Sequence, residues 1–394
     1  MENKPNKHFC IQPFVNVTTR VDGQNNVCCN ILKRNSNIKS ESQKEFFQSA
    51  YVKNLRNKML NGEKIDDCRV CYYQEAKTGE SHRKQYNQYY YIKNDQDIEY
   101  YPQILKSLKL DKPSDPLYVE VHISNLCNLK CLTCNERDSS QYHSENKMLG
   151  ISENPQIDYT KFVVHSAKAV ESILSKNLLF LDIRGGETLL VPEIKKILKQ
   201  TDEKLTKKIT LKIQTNGTIL PDQDWLDIFR KFKNTKLTIS IDAYNTDNEY
   251  VRFPSQWSKI LDTFEVLKKE KIKFTINTVV SNINVMVIDK LLHWISQNNY
   301  LNYLYILRSP DYFQPTNLPQ DLLDEATQRL EKVKNLPFAN ANTNKTIDKL
   351  IVMCKNKKDT TNWKEFVSEI NRRDKHRKNT ISSIMPEIKE YLNA

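Results

Sequence analysis

The sequence predicts an α/β protein built on a parallel sheet, with a cysteine-rich segment before the sheet and a helical segment after it. Three observations carry this. From residue 117 onward, six short β-branched runs alternate with helical stretches. Eight of the nine cysteines fall within the first 134 residues, and none of the seven glycines lies beyond 217. Strand and helix alternating at this spacing means parallel strands, because each right-handed crossover needs a helix.

The six strands are expected at residues 117 to 123, 178 to 184, 209 to 214, 236 to 241, 272 to 280 and 302 to 308. Helical periodicity fills the gaps. Residues 161 to 176 place Phe162, His165, Ala169, Ile173 and Leu174 on one face, and Trp257, Leu261, Phe264 and Leu267 form another such face. Residues 1–110 lack the repeat and hold five cysteines and a Tyr-rich stretch from Tyr86 to Tyr101, so they read as a separate small module. The tyrosines are expected to pack that module against its neighbour. DKPSDP, at 111 to 116, reads as the linker. The repeat unit spans 115–310, and 311–394 is a helical extension whose first helix starts near Asn317 and Pro319 and puts Leu322, Ala326, Leu330 and Val333 on one face.

Composition removes several function classes. With glycines only at 23, 62, 79, 150, 185, 186 and 217, neither a GxGxxG dinucleotide turn nor a Walker loop can be written. No apolar run approaches the length of a membrane span. The first residues, MENKPNKHFCIQPF, lack the apolar core of a secretory signal, so a cytoplasmic protein is expected. The net charge of +12 suits an anionic partner such as RNA or an acidic peptide, and equally suits a Lys-rich composition with no such partner. An odd number of clustered cysteines argues for metal ligation rather than a disulfide framework. The histidines show no HxH or HExxH spacing. His122 alternates within the first strand and is expected to face the helices, and the basic run Arg372 to Lys378 is expected to be a solvated helix face.

Directly after the first strand comes SNLCNLKCLTC, a CxxxCxxC formed by Cys127, Cys131 and Cys134 on the loop leaving a strand's C-terminal end. Three thiolates can hold three irons of a [4Fe-4S] cluster and leave the fourth open for chemistry, whereas four cysteines close a site. A zinc site with a distant fourth ligand is the bland alternative. Strand two ends in Arg184-Gly185-Gly186-Glu187, where scarce glycines signal a close backbone approach; strand three ends in Gln214-Thr215-Asn216-Gly217, and strand four in Ser240-Ile241-Asp242. All four constellations fall on the C-terminal ends of consecutive strands, the edge where parallel α/β barrels gather their sites.

CNLKCLTC, GGE, TNG and SID at those strand ends resemble the radical S-adenosylmethionine (SAM) enzymes. The resemblance implies a partial (β/α)6 barrel, with Cys127, Cys131 and Cys134 holding a [4Fe-4S] cluster whose open iron is chelated by SAM. One electron then cleaves SAM to methionine and a 5'-deoxyadenosyl radical that abstracts a substrate hydrogen. It further implies that Gly185, Gly186 and Glu187 hold the methionine ammonium, and that Ser240, Asp242 and Asn216 contact ribose or carboxylate. Two positions depart from the family pattern: Thr133 replaces an aromatic residue before the third cysteine, and Thr188 replaces a proline after GGE.

Upstream, Cys10, the pair Cys28-Cys29, and Cys68-Arg-Val-Cys71 offer four thiolates from three segments, enough for a closed site; a zinc knuckle is the alternative. FCIQPF, DG followed by CC, MLNGE and CRVCY resemble the twitch module of SPASM type, here preceding the barrel, and the likeness runs through Ile384-Met385-Pro386-Glu387 near the close. It implies a second, auxiliary [4Fe-4S] cluster on Cys10, Cys28, Cys68 and Cys71, with Cys28 favoured over Cys29 by the spacing from Gly23. Cys354 reads as a small buried apolar residue. What the resemblance implies for the whole chain is hydrogen abstraction from a peptide or protein side chain, an electron donor such as flavodoxin or ferredoxin, and no membrane. The alternatives are an RNA-modifying radical SAM enzyme and a non-catalytic iron-sulfur or zinc protein.

Overall fold

The computed structural model describes residues 6–31, 42–91, 115–151, 177–357 and 362–392, with Val170 and Leu174 besides. The helix expected over 161 to 176, apart from those two residues, lies outside this set, as do residues 92–101 of the Tyr-rich run and most of the linker. Among the described residues no helix is long and apolar enough to cross a membrane.

One sheet organises the fold. Its strands are β1 (Asn16–Thr19), β2 (Asn25–Asn26), β3 (Tyr118–His122), β4 (Phe180–Arg184), β5 (Thr210–Thr215), β6 (Asn234–Ser240), β7 (Phe274–Val280) and β8 (Asn302–Ile306). They lie in the order β2-β1-β3-β4-β5-β6-β7-β8, and every neighbouring pair is parallel except β1 with β2. The six expected strands are therefore β3 to β8. The N-terminal segment is not detached from them, because β1 pairs residue for residue with β3, from Asn16 opposite Tyr118 to Thr19 opposite Val121. It keeps a core of its own, in which Phe9, Phe14, Phe46, Phe47, Leu55 and Met59 pack together.

Alternation along the strands decides what the sheet can do. Val119, Val121, Leu181, Ile183, Leu211, Ile213, Leu237 and Ile239 are all buried in the core shared with the helices. The residues between them face the other way, and the register lines up Thr18, Glu120, Asp182, Lys212 and Lys236 across five strands. Parallel strands covered on both faces are normally apolar throughout. A charged inner row marks a face that borders a polar lumen. His122, one residue pair further along, stands on this inner face with its ring 3.0 Å from Glu120 Oε1. The expectation that it faces the helices is wrong, because Val121 and Ile123 occupy that side.

Helices cover the outer face with the expected amphipathic pattern. Trp257–Lys269 buries Trp257, Ile260, Thr263, Phe264 and Leu267, so Ile260 takes the place expected of the partly exposed Leu261. Gln320–Val333 buries Leu322, Ala326, Leu330 and Val333, the face read from the sequence. The C-terminal helices Ala341–Lys355 and Trp363–Arg377 contribute Ile347, Leu350, Phe366 and Ile370 to the barrel core, and Cys354 is fully buried there.

Candidate functional site: two cysteine centres on one sheet

The loop after β3 is held from three sides. On the β4 side, Gly186 N–H donates to Ser124 O and Glu187 N–H to Leu126 O, each at 2.7 Å. A Cβ on Gly185 would lie 2.4 Å from Ser124 O, and one on Gly186 would lie 2.3 Å from Leu126 O. Both glycines are therefore demanded by the backbone leading into Cys127, with Gly185 also at a φ of +142°. On the β6 side, Lys130 N–H donates to Phe253 O and Leu132 N–H to Val251 O, at 2.7 and 2.9 Å.

The third side is the C-terminal helix. Its basic run is a solvated face only in part: Lys375, His376 and Lys378 are exposed, whereas Arg373 and Arg377 fold inward. Arg373 and Arg377 reach Glu145, whose side chain is fully buried on the helix Ser140–Met148 that follows the cysteine loop. Lys130 joins the same carboxylate at 3.0 Å, and Arg377 also donates to Lys130 O at 2.7 Å. Burial alone would raise the Glu145 pKa; the hydrogen bonds from Arg377 and Lys130 outweigh it and hold the carboxyl at about 2.

Within the loop, Cys127 and Cys131 are buried around Leu129, and Cys134 packs against them. Burial pushes the Cys127 thiol up to about 12, with the charge of Cys131 adding to it. Cys131 and Cys134 are raised by burial too, and Cys131 in turn raises Cys134. Thiols that penalise one another's ionisation stay protonated until a metal supplies the positive charge. Leu129 N–H donates to Cys127 Sγ at 3.4 Å, a contact that favours the thiolate. Among the described residues no three His, Cys, Asp or Glu side chains stand close enough to share one ion. In a cubane each thiolate takes its own iron, so the donor chemistry here fits that cluster and does not need a shared ion.

Glu187 is fully buried beside this loop. Its Oε1 accepts from Leu189 N–H (3.0 Å) and Thr215 Oγ1 (2.8 Å), and its Oε2 from Asn216 N–H (2.7 Å). Burial raises its pKa against those three donors. Oε2 keeps acceptor capacity for one further donor. Asn216 has little to offer a ligand directly: its amide donates to Asn128 on the cysteine loop at 2.8 Å, and its oxygen accepts from Thr218. Ser240 Oγ accepts from Gln214 at 3.2 Å. Asp242 is paired with Arg252 at 2.6 Å and accepts Val279 N–H at 2.8 Å, so it works through the arginine.

Arg252 is the residue that motif reading missed. Burial lowers its pKa, yet the charges of Cys131 and Asp242 raise it overall, and its Nε is buried without a partner. It lies after the short helix Thr246–Val251, twelve positions beyond Ser240, where no spacing rule points. The inner row Glu120, Asp182, Lys212 was also overlooked. Its signal was present: VEVH, LDIR and LKIQ alternate apolar with polar in strands that the parallel arrangement should have made apolar on both faces.

The second centre is a small cavity of about 20 Å³ in the N-terminal segment, lined by Cys10, Cys28, Cys29, Cys68 and Cys71 with His82, Arg83 and Tyr86. Burial raises Cys10, Cys28, Cys29 and Cys68, Cys29 to about 11 and Cys68 to about 12. Their charged neighbours differ. Cys28 feels Cys29, Cys10 and Cys68, and Cys10 feels Cys68 and Cys71, whereas Cys29 feels Glu120, Arg184 and Arg20. Cys29 lines the same cavity and raises Cys28, and it has the barrel's inner charges as further neighbours. Tyr86 lines this cavity, and the charges of Glu120 and Arg184 reach it, so it stands at the seam between the N-terminal segment and the barrel.

Residues 121–295 match the family model described as Radical SAM superfamily. Over 167 residues the chain is 29% identical to the GTP 3',8-cyclase of Clostridium acetobutylicum, a match covering 41% of this chain and 47% of that protein. It is 30% identical over 167 residues to the AdoMet-dependent heme synthase of Methanosarcina barkeri, covering 42% of each. The chain therefore spans less than half the length of these relatives. Among solved structures, Streptococcus suis SuiB is 17% identical with a TM-score of 0.36, over 86% of this chain and 72% of that one. Native anSMEcpe with bound AdoMet is 19% identical with a TM-score of 0.37, over 54% and 58%. These matches fall on the barrel, which is similar over residues 121–295 to the radical SAM superfamily, a superfamily that includes enzymes such as the two relatives named.

Proposed function

We propose that the chain is a radical SAM enzyme with two [4Fe-4S] clusters, acting on a peptide or protein side chain. The observation that carries this is the joined pair of strand ends: a three-cysteine loop after β3, hydrogen-bonded along its backbone to Gly186 and Glu187 after β4, within the segment that matches the family. A cluster on Cys127, Cys131 and Cys134 supplies, when bound, the electron that splits SAM and so the 5'-deoxyadenosyl radical that removes a substrate hydrogen.

The protein's own residues set up that event. Glu187 Oε2 is the remaining acceptor for the methionine ammonium, and Leu189, Thr215 and Asn216 hold the carboxylate in place so that it loses no freedom on binding. Arg252, pinned by Asp242, keeps a fixed positive charge beside Cys131 and a free Nε–H for a carboxylate. Gly185 and Gly186 act through close packing against the backbone of Ser124 to Leu126. The inner row of Glu120, Asp182 and Lys212 offers polar groups to a substrate in the lumen, which an apolar sheet face could not.

The N-terminal cavity supports a closed, auxiliary site. Cys10, Cys28, Cys68 and Cys71 line one cavity and would complete four ligands, which leaves no open position for SAM. Its place beside Glu120 and Arg184 suits an acceptor for the electron that a substrate radical loses when it is oxidised, with flavodoxin or ferredoxin supplying the electron at the barrel cluster. Oxidation of that kind suits peptide modification; RNA modification has only the net charge of +12 behind it. Anaerobic protein incubated with dithionite and SAM is expected to form 5'-deoxyadenosine; no 5'-deoxyadenosine from protein carrying about four irons on the barrel site would reject the proposal.

A further inference from the structure

A groove outside both cysteine centres has a volume of about 700 Å³. Its walls include the β1–β2 turn, the end of β3, the stretch directly after Cys134 with the helix Ser140–Met148, Tyr312, and the helix Trp363–Arg377. His122, on the inner face of β3, is among the residues that line it.

The charges along it are unevenly satisfied. Asp138 accepts from Asn135 at 2.7 Å, Glu136 from Asn146 at 2.7 Å, and Glu369 from Arg373 at 2.6 Å. Arg373 is itself fully engaged, by Glu369, Glu145 and Asn146. Three guanidiniums are not. Arg137 has no side-chain partner among the described residues. Arg372 has only Glu369, at 3.6 Å, and its side chain is 37% exposed. Arg20 makes one bond, to Cys29 O at 2.6 Å, and leaves its Nε buried and unpartnered. The unanswered charge in the groove is positive and comes from three different walls.

We propose that this groove receives an extended acidic segment of the peptide substrate, gripped by Arg20, Arg137 and Arg372, and feeds the neighbouring residue past His122 into the lumen; this rests on the peptide reading above. A carboxylate suits a guanidinium fork bidentately, and three forks spread along a groove read acidic side chains at intervals. The same walls carry Asp138, Glu136 and Glu369, which repel a nucleic-acid backbone charged at every step but accept peptide N–H groups between acidic side chains.

The test uses the full, anaerobically reconstituted chain and three fluorescein-labelled probes: a Glu-rich peptide, the same peptide with Lys for Glu, and a single-stranded RNA of similar length, followed by anisotropy. The Glu peptide should bind best, and R137E/R372E should weaken it by about tenfold or more. The control K259E/K269E makes the same change of net charge on exposed positions of the helix Trp257–Lys269 and should leave affinity within about twofold. Iron content and melting temperature confirm that each variant is folded. Equal binding of all three probes, or equal weakening by the control, overturns the groove assignment and leaves the peptide reading standing. Tighter binding of the RNA, lost in R137E/R372E, overturns both.

Discussion

The two cysteine centres stand on one sheet and differ in what surrounds the sulfur. The barrel set offers three thiols on one loop, next to a buried carboxylate with acceptor capacity left and a buried arginine with a free donor. The N-terminal set offers five thiols from three segments around one cavity, with Arg83 as the cation among the residues lining it. An incomplete ligand set flanked by unsatisfied polar groups is built to take a second ligand. The proposed complete set in the N-terminal cavity would keep its metal and exclude other ligands.

The largest effect expected from this contrast is on SAM cleavage. Changing Cys127, Cys131 and Cys134 together to Ala should abolish 5'-deoxyadenosine formation and reduce iron from about eight per chain to about four. Stoichiometric zinc and no iron after anaerobic reconstitution would remove the basis of the comparison.

Next comes the N-terminal set. Cys68→Ala with Cys71→Ala should halve the iron and stop substrate turnover while leaving uncoupled SAM cleavage, since a closed cluster acts after hydrogen abstraction. Cys28→Ala should behave the same way and Cys29→Ala should keep its iron, because the spacing from Gly23 favours Cys28 as the fourth ligand. Iron analysis of the two single variants decides between the adjacent cysteines.

A smaller, graded effect is expected at Glu187. Glu187→Gln keeps an oxygen for the local N–H donors and should weaken SAM binding by about tenfold, as a neutral acceptor replaces a charged one. Glu187→Ala should also lower the melting temperature, because it leaves the Leu189 and Asn216 N–H groups and the Thr215 hydroxyl unpaired in a buried place. Calorimetric titration with SAM and a melting curve separate these two consequences.

The smallest effect is one of stability. Glu145 has its carboxyl depressed to about 2, so the link it makes between cysteine loop and C-terminal helix is fully present above the ordinary carboxylate range and is lost as pH falls through about 2. Wild-type melting temperature should fall on the acid side over that window, and Glu145→Gln should flatten the fall while lowering stability at neutral pH. An unchanged acid profile in the variant would show that the helix is held by its apolar face alone.

Much of this contrast could be read from the residues. Cys127, Cys131 and Cys134 lie close in sequence, and so do Gly185, Gly186 and Glu187, so local spacing exposed them. The β3 to β8 strands were legible because β-branched runs bounded by turns recur at even intervals. Features made by tertiary contact were not. NVTT is too short to announce that β1 extends the sheet, and nothing in RRDKHRK tells that Arg373 and Arg377 fold inward, since their partner Glu145 lies more than two hundred residues earlier. Arg252 has the same character: its value lies in Asp242 and the cysteine loop, which only the fold brings to it. The glycines of GGE were legible as a close approach, but what approaches them is the backbone of Ser124 to Leu126.

The difference between the two centres is tested most directly by electron paramagnetic resonance of the dithionite-reduced full chain, recorded with and without SAM. Two cubane signals are expected, of which one alone shifts when SAM is added, and the unshifted one should vanish in Cys68→Ala/Cys71→Ala. A single cubane signal, or two that both shift with SAM, would contradict the division into an open and a closed centre.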